Sequence, residues 1–291
     1  MSIWTDLMGH EVRQTFYDAG GVRTRAIEAG SGGRTLILLH GTGGHAEAYA
    51  RNIVEHAKNF HVYALDMVGH GYSDMPEVAY HYDDYVNWLG AFLDTVGAGR
   101  VCLSGESLGA QVAQLFAIRH PDRVEKVVLN TGMMWPTNAE GRKELTDLLE
   151  RSRAASGALT REAIRKRLEW LMYRPDKSVT EELIDVRYQI YMQPGRAAVI
   201  RKIAEASISG ALALEAGKHY CDPEFLRRCR CPALVLWTRH NPGQSIPVAE
   251  AGMKHITNGR MVIMENSAHW PQWEESELFN RVHLEFLKSN G

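Results

Sequence analysis

The chain has 291 residues, 45% of them apolar and 23% charged, which is the profile of a globular protein with its own core. That length fits one large domain or one domain carrying an insertion. Thirty-three basic side chains against 35 acidic ones leave a net charge of −2, which excludes the basic footprint of a nucleic-acid or anionic-membrane binder.

No apolar run approaches the ~20 residues of a membrane span. The opening MSIWTDLMGHEV lacks the basic and apolar blocks of a secretory signal. Four cysteines (Cys102, Cys221, Cys229 and Cys231) are too few for a disulfide framework, and the Cys229/Cys231 pair has no second Cys/His pair to complete a zinc site. We therefore expect a cytoplasmic protein with no metal and no cofactor.

In chain order, Arg34–Leu39 reads as a buried strand, Ala46–Lys58 as a helix, His61–Asp66 as a strand and Tyr82–Val96 as a helix. Val101–Gly105 is the next strand, Ser107–His120 the next helix and Lys126–Asn130 a further strand. Near-continuous apolar strands alternating with amphipathic helices predict a mostly parallel sheet with helices on both faces, an α/β class. The alternation stops between 136 and 216. That stretch offers the helical patterns Glu140–Ala155, Thr160–Tyr173 and Thr180–Met192 and no convincing strand. Strands return at Ala233–Trp237 and Arg260–Met264, and a helix over Glu274–Lys288 closes the chain. The expected organisation is a core of 1–135 and 217–291 with an inserted helical cap over 136–216. Sites in open α/β sheets lie beyond the carboxyl ends of the strands, where such a cap encloses a substrate and excludes water.

The sharpest chemical signal is Gly105-Glu106-Ser107-Leu108-Gly109, fed by a strand and left by a helix. Strand, tight turn and helix are what a nucleophile elbow requires. Glycines on both sides relieve crowding, the Ser107 hydroxyl is lifted into the site, and the Leu108 N–H at a helix start points toward a developing oxyanion. His40-Gly41-Thr42-Gly43-Gly44 follows the Arg34–Leu39 strand. Its small residues, Gly43 among them, admit a substrate, and the Thr42 N–H is the expected second oxyanion donor. Ser107 needs a base. Of 13 histidines, His269 lies in the loop after the last strand, completing the order Ser…acid…His, and imidazole both takes and returns a proton near neutrality.

These motifs resemble the α/β-hydrolase fold over the whole chain, as does the loop Asp66–Asp74. Within that superfamily the chain is most similar to the meta-cleavage-product hydrolases, which cut a carbon–carbon bond in 2-hydroxy-6-oxo-dienoates made by aromatic ring fission. The segments that carry this are His269-Trp270-Pro271-Gln272-Trp273-Glu274, continued by Phe279-Asn280-Arg281, and Thr180–Tyr188. The resemblance implies that Arg187 binds the 2-hydroxy acid end of the substrate, for which its planar fork is suited. It also implies a homodimer or larger assembly. Trp270 beside the base is a candidate pocket wall, and Leu171 and Met172 are candidates for an apolar pocket around the departing acyl group.

The family's acid is missing. Where an Asp is expected after Ala233–Thr238, the loop reads Arg239-His240-Asn241, and Leu129–Met133 offers no carboxylate either. An amide oxygen can hold one histidine tautomer but cannot balance an imidazolium. In the serine-protease template the Asp→Asn change costs about 10⁴ in kcat. Three readings stay open: Asn241 orients His269 in a chemistry less dependent on charge, a carboxylate such as Glu106 or Glu265 substitutes, or the chain is weakly active or non-catalytic. Glu106 is itself unusual beside a nucleophile, because a carboxylate there opposes an oxyanion unless it is protonated or turned away. The expected activity is hydrolysis of a small carboxylate-bearing dienoate. The alternatives are a carboxylesterase or lactonase on the same fold, and a ligand-binding protein with vestigial chemistry.

Overall fold

The computed structural model describes residues 2–136, 138–155, 159–213 and 219–289. Eight strands form one sheet: β1 (Val12–Asp18), β2 (Arg23–Ala29), β3 (Thr35–Leu39), β4 (His61–Leu65), β5 (Val101–Glu106), β6 (Val124–Asn130), β7 (Ala233–Thr238) and β8 (Gly259–Met264). Their spatial order is β1-β2-β4-β3-β5-β6-β7-β8. β1 and β2 pair antiparallel, β2 meets β4 antiparallel, and every later pairing is parallel.

The six predicted strands are β3 to β8, five of them interior and β8 at the edge of the sheet. Leu36, Ile37, Leu38 and Leu39 are all buried, as are all six residues of β5 and of β7. Each aliphatic side chain moved out of water on such a strand stabilises the fold by about 1.5–3 kcal/mol. Two apolar clusters follow, one on each face of the sheet. Leu103, Leu129 and Val235 point into the first, and Cys102, Val128 and Leu236 into the second.

β1 and β2 carry no such pattern. β1 buries no residue fully. β2 buries charge: Arg25 is paired with Asp66 and Glu47, and Glu28 accepts from Tyr17 Oη and lies against His61 at 2.6 Å each. A buried charge persists only when it is partnered, and these partners lie on other elements. Asp66 also accepts from the amides of Ala46 and Tyr72, so the Asp66–Asp74 loop is pinned to the sheet through one carboxylate.

Between β6 and β7 the described residues form helices Ala139–Ala155, Arg161–Leu171, Pro175–Ser178, Glu181–Tyr191, Arg196–Leu212 and Pro223–Leu226. Thr160 and Thr180 cap two of them, accepting from the amides of Ala163 and Leu183 at 3.1 Å. The expected second boundary of the insertion, at 216, lies outside the described residues. Among the described residues no helix is long and apolar enough to cross a membrane.

Candidate active site

β5 ends at Glu106, and the next residue turns sharply. Ser107 sits at φ +52°, ψ −115°, a conformation that costs a non-glycine residue about 1–3 kcal/mol. The Ser107 amide donates to the Asn130 carbonyl at 3.0 Å, which ties the turn to β6. A Cβ on Gly105 would lie 2.0 Å from the Gly109 carbonyl oxygen, and one on Gly109 would lie 2.2 Å from the Leu39 carbonyl oxygen. Both glycines are therefore fixed by main chain rather than by adjustable side chains. Helix Leu108–Arg119 runs through the core, with every residue from Leu108 to Ala117 buried. Leu108 is its first residue, so its N–H has no intrahelical partner and carries the positive end of the helix dipole.

The His40–Gly44 loop is held from below by His40 itself. The Met67 amide donates to His40 Nε2 at 3.2 Å, which places the ring proton on Nδ1, 2.8 Å from the Gly41 carbonyl. Burial keeps this imidazole uncharged by lowering its pKa to about 4. Gly41, Thr42 and Gly44 line the same cavity as Ser107. Gly43 does not; its carbonyl accepts from Tyr191 Oη at 2.8 Å, joining this loop to helix Glu181–Tyr191.

His269 follows β8 and is anchored on three sides. Its amide donates to the Leu171 carbonyl at 2.9 Å, its carbonyl accepts from Thr131 Oγ1 at 2.9 Å, and Nδ1 lies 2.8 Å from Asn241 Oδ1. Asn241 Nδ2 donates to the Gln244 carbonyl, so Oδ1 is the atom that faces the ring and Nδ1 carries the proton. The neighbouring motif is explained by the same docking. Glu274 accepts from the amides of Ala268 and Tyr173, and Trp273 Nε1 donates to the Ser178 carbonyl. The sequence around the histidine thus stitches the loop after β8 to the inserted helices.

The other ring nitrogen meets an unexpected neighbour. Nε2 lies 3.2 Å from Glu106 Oε1. Glu106 is 1% exposed, and its Oε2 is buried without a hydrogen-bond partner. Both oxygens lie over Gly41, where a Cβ would come within 2.6 and 2.9 Å of them. Burial pushes the Glu106 carboxyl up to about 8, against the opposing pull of the Gly41 amide, Arg187 and Arg167. Burial, with Arg167 nearby, lowers His269 to about 4. Near neutral pH the contact is therefore between two uncharged groups, a carboxylic acid and an imidazole. No hydrogen bond joins Ser107 Oγ to His269 among the described residues. Glu265, the other carboxylate considered, is tied to Arg239 at 2.8 and 2.9 Å on the surface.

Ser107, Leu108, Glu106, Asn241, His269 and Trp270 open onto one cavity of about 1020 Å³, part of it in open contact with solvent. Leu145, Leu148, Leu149, Trp170, Leu171 and Ile208 supply its apolar wall from the inserted helices. Arg187 reaches it from helix Glu181–Tyr191, its guanidinium 5.2 Å from the Trp270 ring centre. It is 1% exposed, and Nε and Nη2 are buried without partners. Met172 is not in the lining; it is 5% exposed and packs in the core among Leu168 and Trp270. Arg167, which sequence reading did not single out, also lines the cavity. Its helix reads as ordinary charged surface, and only the packing turns this arginine inward. Among the described residues no group of three or more His, Cys, Asp or Glu side chains is placed to hold a metal ion.

The family model described as the alpha/beta hydrolase fold matches residues 34–276. The chain is 30% identical over 283 residues to a 2-hydroxy-6-oxononadienedioate/2-hydroxy-6-oxononatrienedioate hydrolase of Burkholderia vietnamiensis, covering 93% of each chain. It is 27% identical over 280 residues to a 2-hydroxy-6-oxo-6-(2'-aminophenyl)hexa-2,4-dienoic acid hydrolase of Metapseudomonas resinovorans, covering 94% of this chain and 90% of the relative. A solved serine hydrolase involved in carbazole degradation superposes with a TM-score of 0.79 at 25% identity, over 95% of this chain and 99% of that one.

Proposed function

Because the chain belongs to the α/β-hydrolase fold family, and within it to the relatives of the 2-hydroxy-6-oxo-dienoate hydrolases, we propose that it hydrolyses a carbon–carbon bond in a ring-fission dienoate. The observation that carries this reading is a single cavity holding the Ser107 elbow, the Asn241-oriented His269 and a buried, unpartnered Arg187. An ester needs the first two. A buried guanidinium without an anion is costly, and a substrate carboxylate satisfies it.

In this account Arg187 fixes the carboxylate end, with Trp270 as wall. The bound dienolate takes a proton at C5 and becomes the 2,6-diketone. Ser107 Oγ, or water beside it, then adds to the 6-oxo carbon as its proton passes to His269 Nε2. The N–H groups of Leu108 and Thr42 stabilise the resulting oxyanion. The C5–C6 bond breaks because the leaving carbanion is delocalised into the keto acid, giving a 2-hydroxydienoate and a carboxylic acid. Helices within 136–216 act as the cap that excludes water from these steps.

The same reading takes the protein as cytoplasmic, supported by four buried free thiols, and as a homodimer or larger, supported by the resemblance alone and checked by light scattering. The test of function is a spectrophotometric comparison of a 2-hydroxy-6-oxo-dienoate with p-nitrophenyl esters. The expected result is rapid loss of the yellow dienolate band with slow ester hydrolysis. Fast ester hydrolysis with a stable dienolate band overturns the reading.

A further inference from the structure

Resting on the dienoate reading, we infer that Glu106 is a catalytic acid of this site: it holds a proton against His269 Nε2, yields it to the bound dienolate, and as a carboxylate then balances the imidazolium formed when Ser107 is deprotonated.

Three observations lead here. The place of the usual acid is taken by Asn241, whose amide holds the Nδ1 proton but supplies no charge. The carboxyl nearest the imidazole is Glu106, 3.2 Å from Nε2, whereas Glu265 is engaged with Arg239 at the surface. Glu106 is also enclosed: its Oε2 has no hydrogen-bond partner, and Gly41 is the small residue that makes room for both oxygens. A buried carboxyl with one oxygen against a base and the other unpartnered is suited to change its protonation state rather than to brace the fold.

The protons balance. The substrate enters as the dienolate, already without its 2-hydroxy proton. Glu106 gives its proton to C5, and the substrate becomes the 2,6-diketone while Glu106 becomes a carboxylate. The Ser107 proton moves to Nε2 as Oγ bonds to C6, so imidazolium and carboxylate face each other at the contact already present. Cleavage of C5–C6 sends its electron pair into the keto acid, and the imidazolium proton neutralises that fragment. Water hydrolyses the acyl-serine, and the proton of the carboxylic acid formed returns to Glu106. Substrate dienolate and one water give the 2-hydroxydienoate, its 2-oxygen protonated and its own carboxylate unchanged, and a second carboxylate, and every side chain is restored.

The groups that face Glu106 set the pH at which it works. They are His269 from the loop after β8, Arg167 and Arg187 from the inserted helices, the Gly41 amide and the Tyr49 hydroxyl. Burial outweighs the two cations and leaves the acid form dominant below about 8.

Stopped-flow absorbance separates the fast conversion of dienolate to diketone from later cleavage. With Glu106→Gln, which keeps shape and removes the proton, the first phase should slow about 100-fold, the usual contribution of a positioned general acid. Dienolate affinity, measured in a Ser107→Ala background, should stay within about 3-fold, because the binding groups are untouched. In the unaltered enzyme the first phase should fall as pH rises through about 8, and in Glu106→Gln it should be flat there. Glu106→Asp, which keeps the acid on a shorter arm, should recover part of the rate, which a purely structural role does not predict. A Glu106→Gln variant with the full first-phase rate and an unchanged alkaline fall overturns the inference while leaving the dienoate reading intact. An unaltered chain that leaves every dienoate untouched overturns both.

Discussion

The turn at Ser107 and the loop from Arg239 to Ser245 meet at one histidine, yet the first keeps its family's pattern and the second does not. The elbow is held by main-chain contacts: Gly105 backs onto the Gly109 carbonyl and Gly109 onto the Leu39 carbonyl. A Cβ fits at neither position, so sterics require both glycines whatever chemistry follows. The acid loop is held by less. It must present one acceptor to His269 Nδ1, and Asn241 does this at 2.8 Å without a charge. Orientation and charge compensation, usually joined in one carboxylate, are here divided between Asn241 on one edge of the ring and Glu106 on the other.

The comparison can be broken first at the elbow. Ser107→Ala should lower turnover of a dienoate by about 10⁶, the scale seen when the nucleophile of a serine-protease triad is removed, while the dienolate still binds. Retained turnover would mean that the strained turn serves only packing. Next in size is the cap side. Arg187→Ala removes the cation meant for the substrate carboxylate and should cost about 2–5 kcal/mol, roughly 30-fold to several thousand-fold in kcat/KM for a dienoate. A neutral ester should be affected little, so equal losses on both substrates would contradict a carboxylate site.

A smaller and more specific effect is expected at Asn241. His269 is lowered to about 4 by burial, with no carboxylate beside Nδ1 to raise it. The base is lost only when the ring is protonated, so kcat/KM in the unaltered enzyme should hold down to about pH 4–5. Asn241→Asp places a carboxylate beside Nδ1, which favours imidazolium. The acid limb of the pH–rate profile should therefore move up toward the ordinary imidazole range near 6.5. The smallest expected effect is at Glu265, exposed and paired with Arg239: Glu265→Gln should leave turnover unchanged, and a loss there would revive it as the substitute acid.

Much of this was legible in the sequence, for identifiable reasons. Strands β3 to β8 announce themselves because their residues are apolar in runs, and β3 to β7 are also covered on both faces. β1 and β2 do not: β1 is a half-exposed edge, and β2 hides Arg25 and Glu28 in partnerships with Asp66, Tyr17 and His61 that only the fold creates. Ser107 and His269 could be found because strand ends and chain order restrict where they stand. Arg167 and the contact of Glu106 with His269 could not, since a helical arginine reads as surface and nothing local sets the direction of the Glu106 side chain. Met172 is a candidate pocket residue by its place in the inserted helical stretch, but its side chain turns into the core instead.

The division of labour around the imidazole is tested most directly by nitrogen-15 NMR of His269 across pH 5 to 9, in the unaltered protein and in Glu106→Gln. The account predicts a ring that stays neutral with its proton on Nδ1, and an Nε2 resonance that steps near pH 8 as Glu106 ionises, a step absent from Glu106→Gln. A His269 that titrates near 6.5, identically in both proteins, would contradict it.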